Sequence, residues 1–180
     1  PQNPKTPLAF IMESAKQAQE AELQNAVTGI KSHAASIVAA NDEKVALAGL
    51  EILHKLINNI LKDPKNEKFR TIKKTNAAIQ AKLLSLKGGI AELIKEFGYV
   101  DVDAEHYAFV GDYYKVLNRG THAVEELIEP IKVKYMTPDE QKKHAILMES
   151  KRIYEEERRL KKEMIAKQQK LSEADRKEKA

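Results

Sequence analysis

The sequence predicts a mostly helical α/β fold with a small three-stranded antiparallel sheet and a long charged C-terminal helix. Three observations carry this. Seven Gly and six Pro in 180 residues favour helix over a turn-rich all-β fold. The stretch Val45–Val100 combines dense apolar residues at helical spacing with turn signals and one short β-branched run. Beyond residue 136 the chain becomes highly charged and keeps helical periodicity.

In order along the chain, Pro1–Lys5 reads as an unstructured lead, and Thr6-Pro7 as an N-cap with Pro at the first helical position. Leu8, Ile11, Met12 and Ala15 share one face; Ile30, Ala34, Ile37 and Val38 resume the spacing after Gly29, which is expected to bend or break the helix. Asn41-Asp42 reads as the cap of a central helix. Its buried stripe is expected at Val45, Gly49, Ile52, Leu53, Leu56 and Ile60, with His54 beside it as an ordinary packed or surface histidine. Asn58 reads as solvated and Asn59 as an amide available to a partner's backbone, because Asn is a poor residue inside a helix. Asp63-Pro64 ends this helix.

Phe69–Lys73 has strand character, and Thr75-Asn76 is a turn capping a helix over Ala77–Leu84. Gly88-Gly89 opens a helix with Ile90, Leu93, Ile94 and Phe97 inward, closed by Gly98. Tyr99–Val102 and His106–Val110 alternate as a hairpin able to pair with Phe69–Lys73, three strands being the minimum for a stable sheet. Gly111-Asp112 starts a helix with Tyr113, Val116 and Leu117. Gly120-Thr121 is expected to interrupt it and Pro130 to end it. Thr137-Pro138-Asp139-Glu140 is a complete helix start signal. Behind it come favourable i,i+4 pairs (Glu155–Arg159, Glu157–Lys161, Glu163–Lys167, Glu173–Lys177), and a thin heptad stripe at Ile146, Ile153, Leu160, Met164 and Leu171. The expected organisation is an N-terminal lead and helix over 1–26, a globular domain over 27–130 and a charged long helix over 137–180.

A hydrophobic share of 42% supports one core, and a charged share of 32% leaves segments outside it. The absence of Cys rules out disulfides, Cys-ligated zinc and thiol catalysis within the chain, and fits a reducing compartment. No apolar run approaches the length of a bilayer span, and the opening at Pro1 without Met is that expected of an excised fragment. The net charge of +4 is uneven: residues 141–180 carry 13 Lys/Arg against 8 Asp/Glu, the remainder 18 against 19. The basicity therefore belongs to the C-terminal segment and is weak grounds for nucleic-acid binding.

His33, His54, His106, His122 and His144 form no two-histidine metal spacing, and neither a nucleophile elbow nor a phosphate loop is present. No catalysis, metal or cofactor is expected. One local imbalance stands out. Lys62–Lys87 holds eight Lys/Arg against Asp63 and Glu67, with Phe69, Ile72 and Ile79 among them. Basic groups around a few apolar side chains suit an acidic peptide with hydrophobic anchors, although a solvated strand and helix face would look the same.

The same residues resemble a known family. Asn58-Asn59-Ile60-Leu61-Lys62-Asp63-Pro64, Glu67-Lys68-Phe69-Arg70-Thr71-Ile72, Asn76 with Ala78-Ile79, Gly88-Gly89 and Phe97-Gly98-Tyr99 follow in the order of the PUB (PUG) domain of peptide:N-glycanase and UBA- or UBX-containing proteins. The resemblance covers roughly Val27–Pro130. It implies a mostly helical α/β fold with a three-stranded sheet and a non-enzymatic adaptor. Such an adaptor docks the acidic C-terminal tail of the valosin-containing AAA ATPase in ubiquitin-dependent protein quality control, in cytoplasm or nucleus. By position, Asn59 would hydrogen-bond the peptide, Phe69 would pack on its aromatic anchor and Lys73 would meet acidic groups. Asn76 would fix the peptide backbone and Ile79 would line the pocket. Phe69 stands where Tyr is frequent and so lacks a hydroxyl. Lys73 stands where Arg is common and forgoes bidentate carboxylate recognition. Ile79 stands in place of Phe and reshapes the pocket. The competing expectation is a structural interaction protein whose 137–180 helix pairs with a helical partner; nucleic acid and membrane are not expected partners.

Overall fold

The computed structural model describes residues 7–110 and 114–178, with side chains described from 11 to 169. It divides the chain into two compact units, Pro1–Lys134 and Tyr135–Ala180. The first contains α1 (Pro7–Ala40), α2 (Glu43–Lys62), a 3₁₀ turn (Glu67–Arg70), β1 (Thr71–Lys73), α3 (Ala77–Ile79) running into a π turn (Gln80–Leu84), α4 (Ile90–Glu96), β2 (Tyr99–Asp101), β3 (His106–Phe109) and α5 (Tyr114–Lys134). The second contains α6 (Pro138–Glu178). The fold is thus mostly helical, with a three-stranded antiparallel sheet of order β1-β3-β2.

α2 forms because Asp42 accepts the Lys44 N–H at 2.9 Å, with Glu43 in the first turn and Lys62 in the last complementing the helix dipole. Asn41 does something other than cap. Its Nδ2 donates to the Ile37 carbonyl (2.7 Å) and the Lys87 carbonyl (2.9 Å), while its Oδ1 accepts the Lys87 N–H, stitching the α1–α2 link to the turn before Gly88. The buried face of α2 is Ala46, Gly49, Leu50, Leu53, Ile57 and Ile60. Val45 lies outside it at 48% exposure, since the contacting face is rotated by about one residue from the expected stripe.

Four expectations are corrected. α1 passes Gly29 without a break. The residue has no Cβ where the Glu96 carboxylate lies, at 2.9 Å from an ideal Cβ position, so the glycine answers a neighbour and not a bend. α5 runs through Gly120-Thr121, because Gly120 faces Ile30 and Phe97 in the core and buried Thr121 donates to the Leu117 carbonyl. It also runs through Pro130 to Lys134. A mid-helix proline costs about 3 kcal/mol, yet α5 packs along α1 and α2, and its last turn is tied by Lys132–Glu51 (3.6 Å) and Lys134–Glu43 (2.6 Å). The helix expected over 77–84 relaxes into a π turn at Gln80 that carries Leu83 fully inward. The expected start at Gly111-Asp112 with Tyr113 and the Thr6 cap lie outside the described residues.

The sheet register pairs Ile72 with Tyr107 and Tyr99 with Phe109. Ile72, Tyr99, Tyr107 and Phe109 are all buried, and the Tyr99 and Phe109 rings meet edge-on at 5.7 Å. The strand begins at Thr71. Phe69 belongs to the preceding 3₁₀ turn, where Asn66 caps the Lys68 N–H and its carbonyl accepts from Phe69.

In the second unit Thr137 and Glu140 form a reciprocal capping box: Glu140 Oε2 accepts the Thr137 N–H at 2.8 Å, and Thr137 Oγ1 accepts the Glu140 N–H at 3.4 Å. Arg159 pairs with Glu156 and Glu163 (both 3.9 Å), not with the expected Glu155, and Arg152 with Glu149. The Glu173–Lys177 pair and Leu171 lie outside the described side chains.

Three outcomes follow for the first unit. Gly120→Ala places a methyl 2.5 Å from Ile30 Cδ1 and 2.7 Å from Phe97 Cε1. It should lower stability by about 1–3 kcal/mol in denaturant titration despite its better helix propensity. Gly29→Ala, opposed only by the mobile end of Glu96, should be neutral or stabilising. His54 is half-buried against Asn58 Nδ2 (3.2 Å), and burial lowers its pKa from 6.5. The unfolded chain then takes up the proton first. The neutral-imidazole contribution is complete above pH 6.5 and declines as pH falls from 6.5 through the lowered native value. His54→Gln should flatten that part of the stability–pH curve.

Candidate peptide-docking site

The five expected site residues lie on α2, the 3₁₀ turn, β1 and α3. Asn59 is in its last turn. The 3₁₀ turn bearing Phe69 packs on α2, as does the π turn that follows α3. Lys73 ends β1 and alternates with buried Ile72, so it projects from the solvent side of the strand. Asn76 and Ile79 begin and end α3.

Each side chain has a definite state. Phe69 and Ile79 are half-buried, resting on the core with part of their apolar surface open. Asn59 is half-buried, and its carboxamide makes no hydrogen bond among the described residues, whereas its carbonyl accepts from Asp63. Asn58 is not simply solvated, since it bonds His54. Asn76 Oδ1 accepts from the Ala78 N–H (2.9 Å) and the Ile79 N–H (3.2 Å), as the sequence predicts of a cap. Only its NH₂ is left for a partner.

The basic run separates into two kinds of cation. Lys74, 15% exposed in its side chain, points its Nζ at Asp101 (2.5 Å) and the Asp103 carbonyl (2.6 Å), over the Tyr107 ring. Arg70 lies over the Phe109 ring and donates to the Tyr114 hydroxyl at 3.3 Å. These two fasten the sheet. Lys62, Lys65, Lys68, Lys73, Lys82 and Lys87 are exposed and form no ion pair among the described residues. Six exposed cations against exposed Asp63 and Glu67 leave the segment 62–87, which also bears Phe69 and Ile79, net positive. Sequence reasoning does not separate the two kinds, because Lys73 and Lys74 look alike until the hairpin folds beside one of them. Among the described residues no group of three His, Asp or Glu is placed to hold a metal ion.

Residues 43–127 match the family model for the PUB domain. The chain is also 46% identical over 54 residues to a peptide-N(4)-(N-acetyl-beta-glucosaminyl)asparagine amidase of Drosophila melanogaster. That alignment covers 30% of this chain and 8% of the amidase, so the chain spans a small fraction of that relative. The matched residues take in α2, the whole sheet, the π turn and all five expected site positions. Over residues 43–127, therefore, the chain matches the PUB domain, a protein–protein interaction module.

Proposed function

We propose that the chain is a non-enzymatic adaptor that docks the acidic C-terminal tail of the valosin-containing AAA ATPase, working in ubiquitin-dependent protein quality control in the cytoplasm. The observation that carries this is the segment 62–87, which holds six exposed lysines with no ion pair among the described residues together with two half-buried apolar side chains, Phe69 and Ile79. Such a surface is complementary to a peptide with acidic residues and an apolar or aromatic end. The lysines speed encounter and discriminate by charge, and the apolar pair supplies the anchor. Asn59, with its unengaged carboxamide, offers both a donor and an acceptor to a peptide backbone. Lys73 meets the carboxylates as a point charge, and Asn76 contributes its amide NH₂. The amidase is named for an enzymatic activity, but only a small part of it aligns here; the proposed role is that of an interaction module.

Calorimetric titration with an acidic ten-residue peptide ending in Leu-Tyr tests this. Binding in the micromolar range is expected, weakening as salt rises. Phe69→Ala should reduce affinity at least about tenfold, as loss of an apolar anchor does. Asn59→Ala should reduce it by about fivefold, the worth of one hydrogen bond. Absence of binding by the folded parent chain would refute the proposal.

Asn76 separates fold from recognition. Asn76→Ala removes the cap and should cost about 1 kcal/mol of stability. Asn76→Asp keeps the accepting oxygen but loses the NH₂, so it should preserve the melting temperature and still weaken the peptide. Equal affinity of Asn76→Asp and the parent would exclude Asn76 from the contact.

A further inference from the structure

α6 presents one seam of side chains at alternating four- and three-residue steps: Ser150, Ile153, Glu157, Leu160, Met164 and Lys167. Ile153, Leu160 and Met164 are 48%, 50% and 65% exposed, so none of them is buried among the described residues. The two charged members decide what can. In a parallel pair of identical helices the seam sets Glu157 against Glu157 and Lys167 against Lys167. Both would be like charges in a desolvated layer, a costly arrangement. Reversing one helix changes every layer. With residues i and 317 − i opposed, Ile153 meets Met164, Leu160 meets the methylenes of Glu157, and Lys167 meets Ser150. The Glu157 carboxylate of one helix then lies at the level of Lys161 of the other, an opposite charge beside the one acidic member of the seam.

The flanks fit the same register. Tyr154 comes beside Lys161 of the second helix, an aromatic face beside a cation. Glu156 comes beside Glu163, the one unfavourable flank. Each of these carboxylates already has Arg159 of its own helix at 3.9 Å, which offsets the repulsion.

We propose that α6 is a self-association surface, and that two copies of this chain pair through antiparallel α6 helices over residues 150–167, an overlap of roughly 26 Å. This does not depend on the peptide site. Six apolar side chains with two polar layers make a modest core, so the dimer is weak and concentration-dependent.

Sedimentation equilibrium of the whole chain from micromolar to sub-millimolar concentration should show reversible dimerisation. Glu157→Leu should tighten it by about tenfold or more, by replacing a charge with apolar area in two layers. Leu160→Lys should abolish it with the thermal transition of the globular unit unchanged. The sequence contains no cysteine, so single replacements report orientation cleanly. A mixture of Ser150→Cys and Lys167→Cys chains should oxidise mainly to the mixed disulfide. Predominant Ser150→Cys homodisulfide would mean a parallel pair and overturn the register, and a monomer at the highest concentration would overturn the proposal outright.

Discussion

The Lys82 carbonyl approaches α2 at Gly49 so closely that a Cβ there would collide with it and stand 2.5 Å from Leu86 Cδ1. Much of the globular unit depends on this approach. It lets the π turn press backbone against α2, which buries Leu83 and Leu86 beside Leu50 and Leu53. It also fixes α3, whose two ends carry Asn76 and Ile79. The wide turn at Gln80 follows from the same demand. A regular helix continued from Ala77 would run on in a straight line, and the π turn swings its last carbonyls onto α2. Asn41 secures the far end by donating to the Lys87 backbone carbonyl and accepting from its backbone N–H. Backbone contact at a glycine, with a side-chain amide closing the turn, thus steadies the segment whose helix and cap bear two of the five expected site residues.

Electrostatics in this unit divide along burial. Lys74 and Arg70 are held over aromatic rings and against fixed oxygens, so their charges are spent on the sheet. A cation over a ring adds roughly 0.5–1 kcal/mol at a partly exposed site, enough to matter for strands of three and four residues. The remaining lysines of the run have no such engagement, and their field is available to a partner. The surface therefore stays positive without burdening the core, because the cations that intrude on apolar surface are the ones that found acceptors.

The fold was legible in the sequence wherever a local rule coincided with the tertiary demand. Asp42, Asn76 and the Thr137–Glu140 box cap the helices they appear to cap. Gly89 and Gly98 adopt the positive φ that helix boundaries require, and the hairpin takes its place beside β1 in antiparallel register. Two of the misreadings share one cause. Gly29 and Gly120 each face another element, the flexible end of Glu96 at Gly29 and Ile30 with Phe97 at Gly120, and that is invisible to periodicity. The α2 stripe was displaced by about one residue because half of its apolar positions are only partly covered. Of the site, residue types and neighbourhood were readable. The division between Lys73 and Lys74 was not, since it depends on where Asp101 lands after the hairpin closes.

Pro130 and Thr137, seven residues apart, show when a local signal prevails. Pro130 should end a helix, yet α5 continues, because the segment is packed on two other helices and clamped by Lys132 and Lys134. Tertiary contact there outweighs one lost hydrogen bond. At Thr137 the start signal is obeyed in full, and α6 follows with its described side chains largely exposed. Capping, propensity and short-range pairs such as Arg159 with Glu156 and Glu163, each contributing a few tenths of a kcal/mol, support its order. Its apolar seam stays largely exposed among the described residues. That is why the charge at positions 157 and 167, trivial in a solvated helix, becomes decisive once a second helix is brought against it.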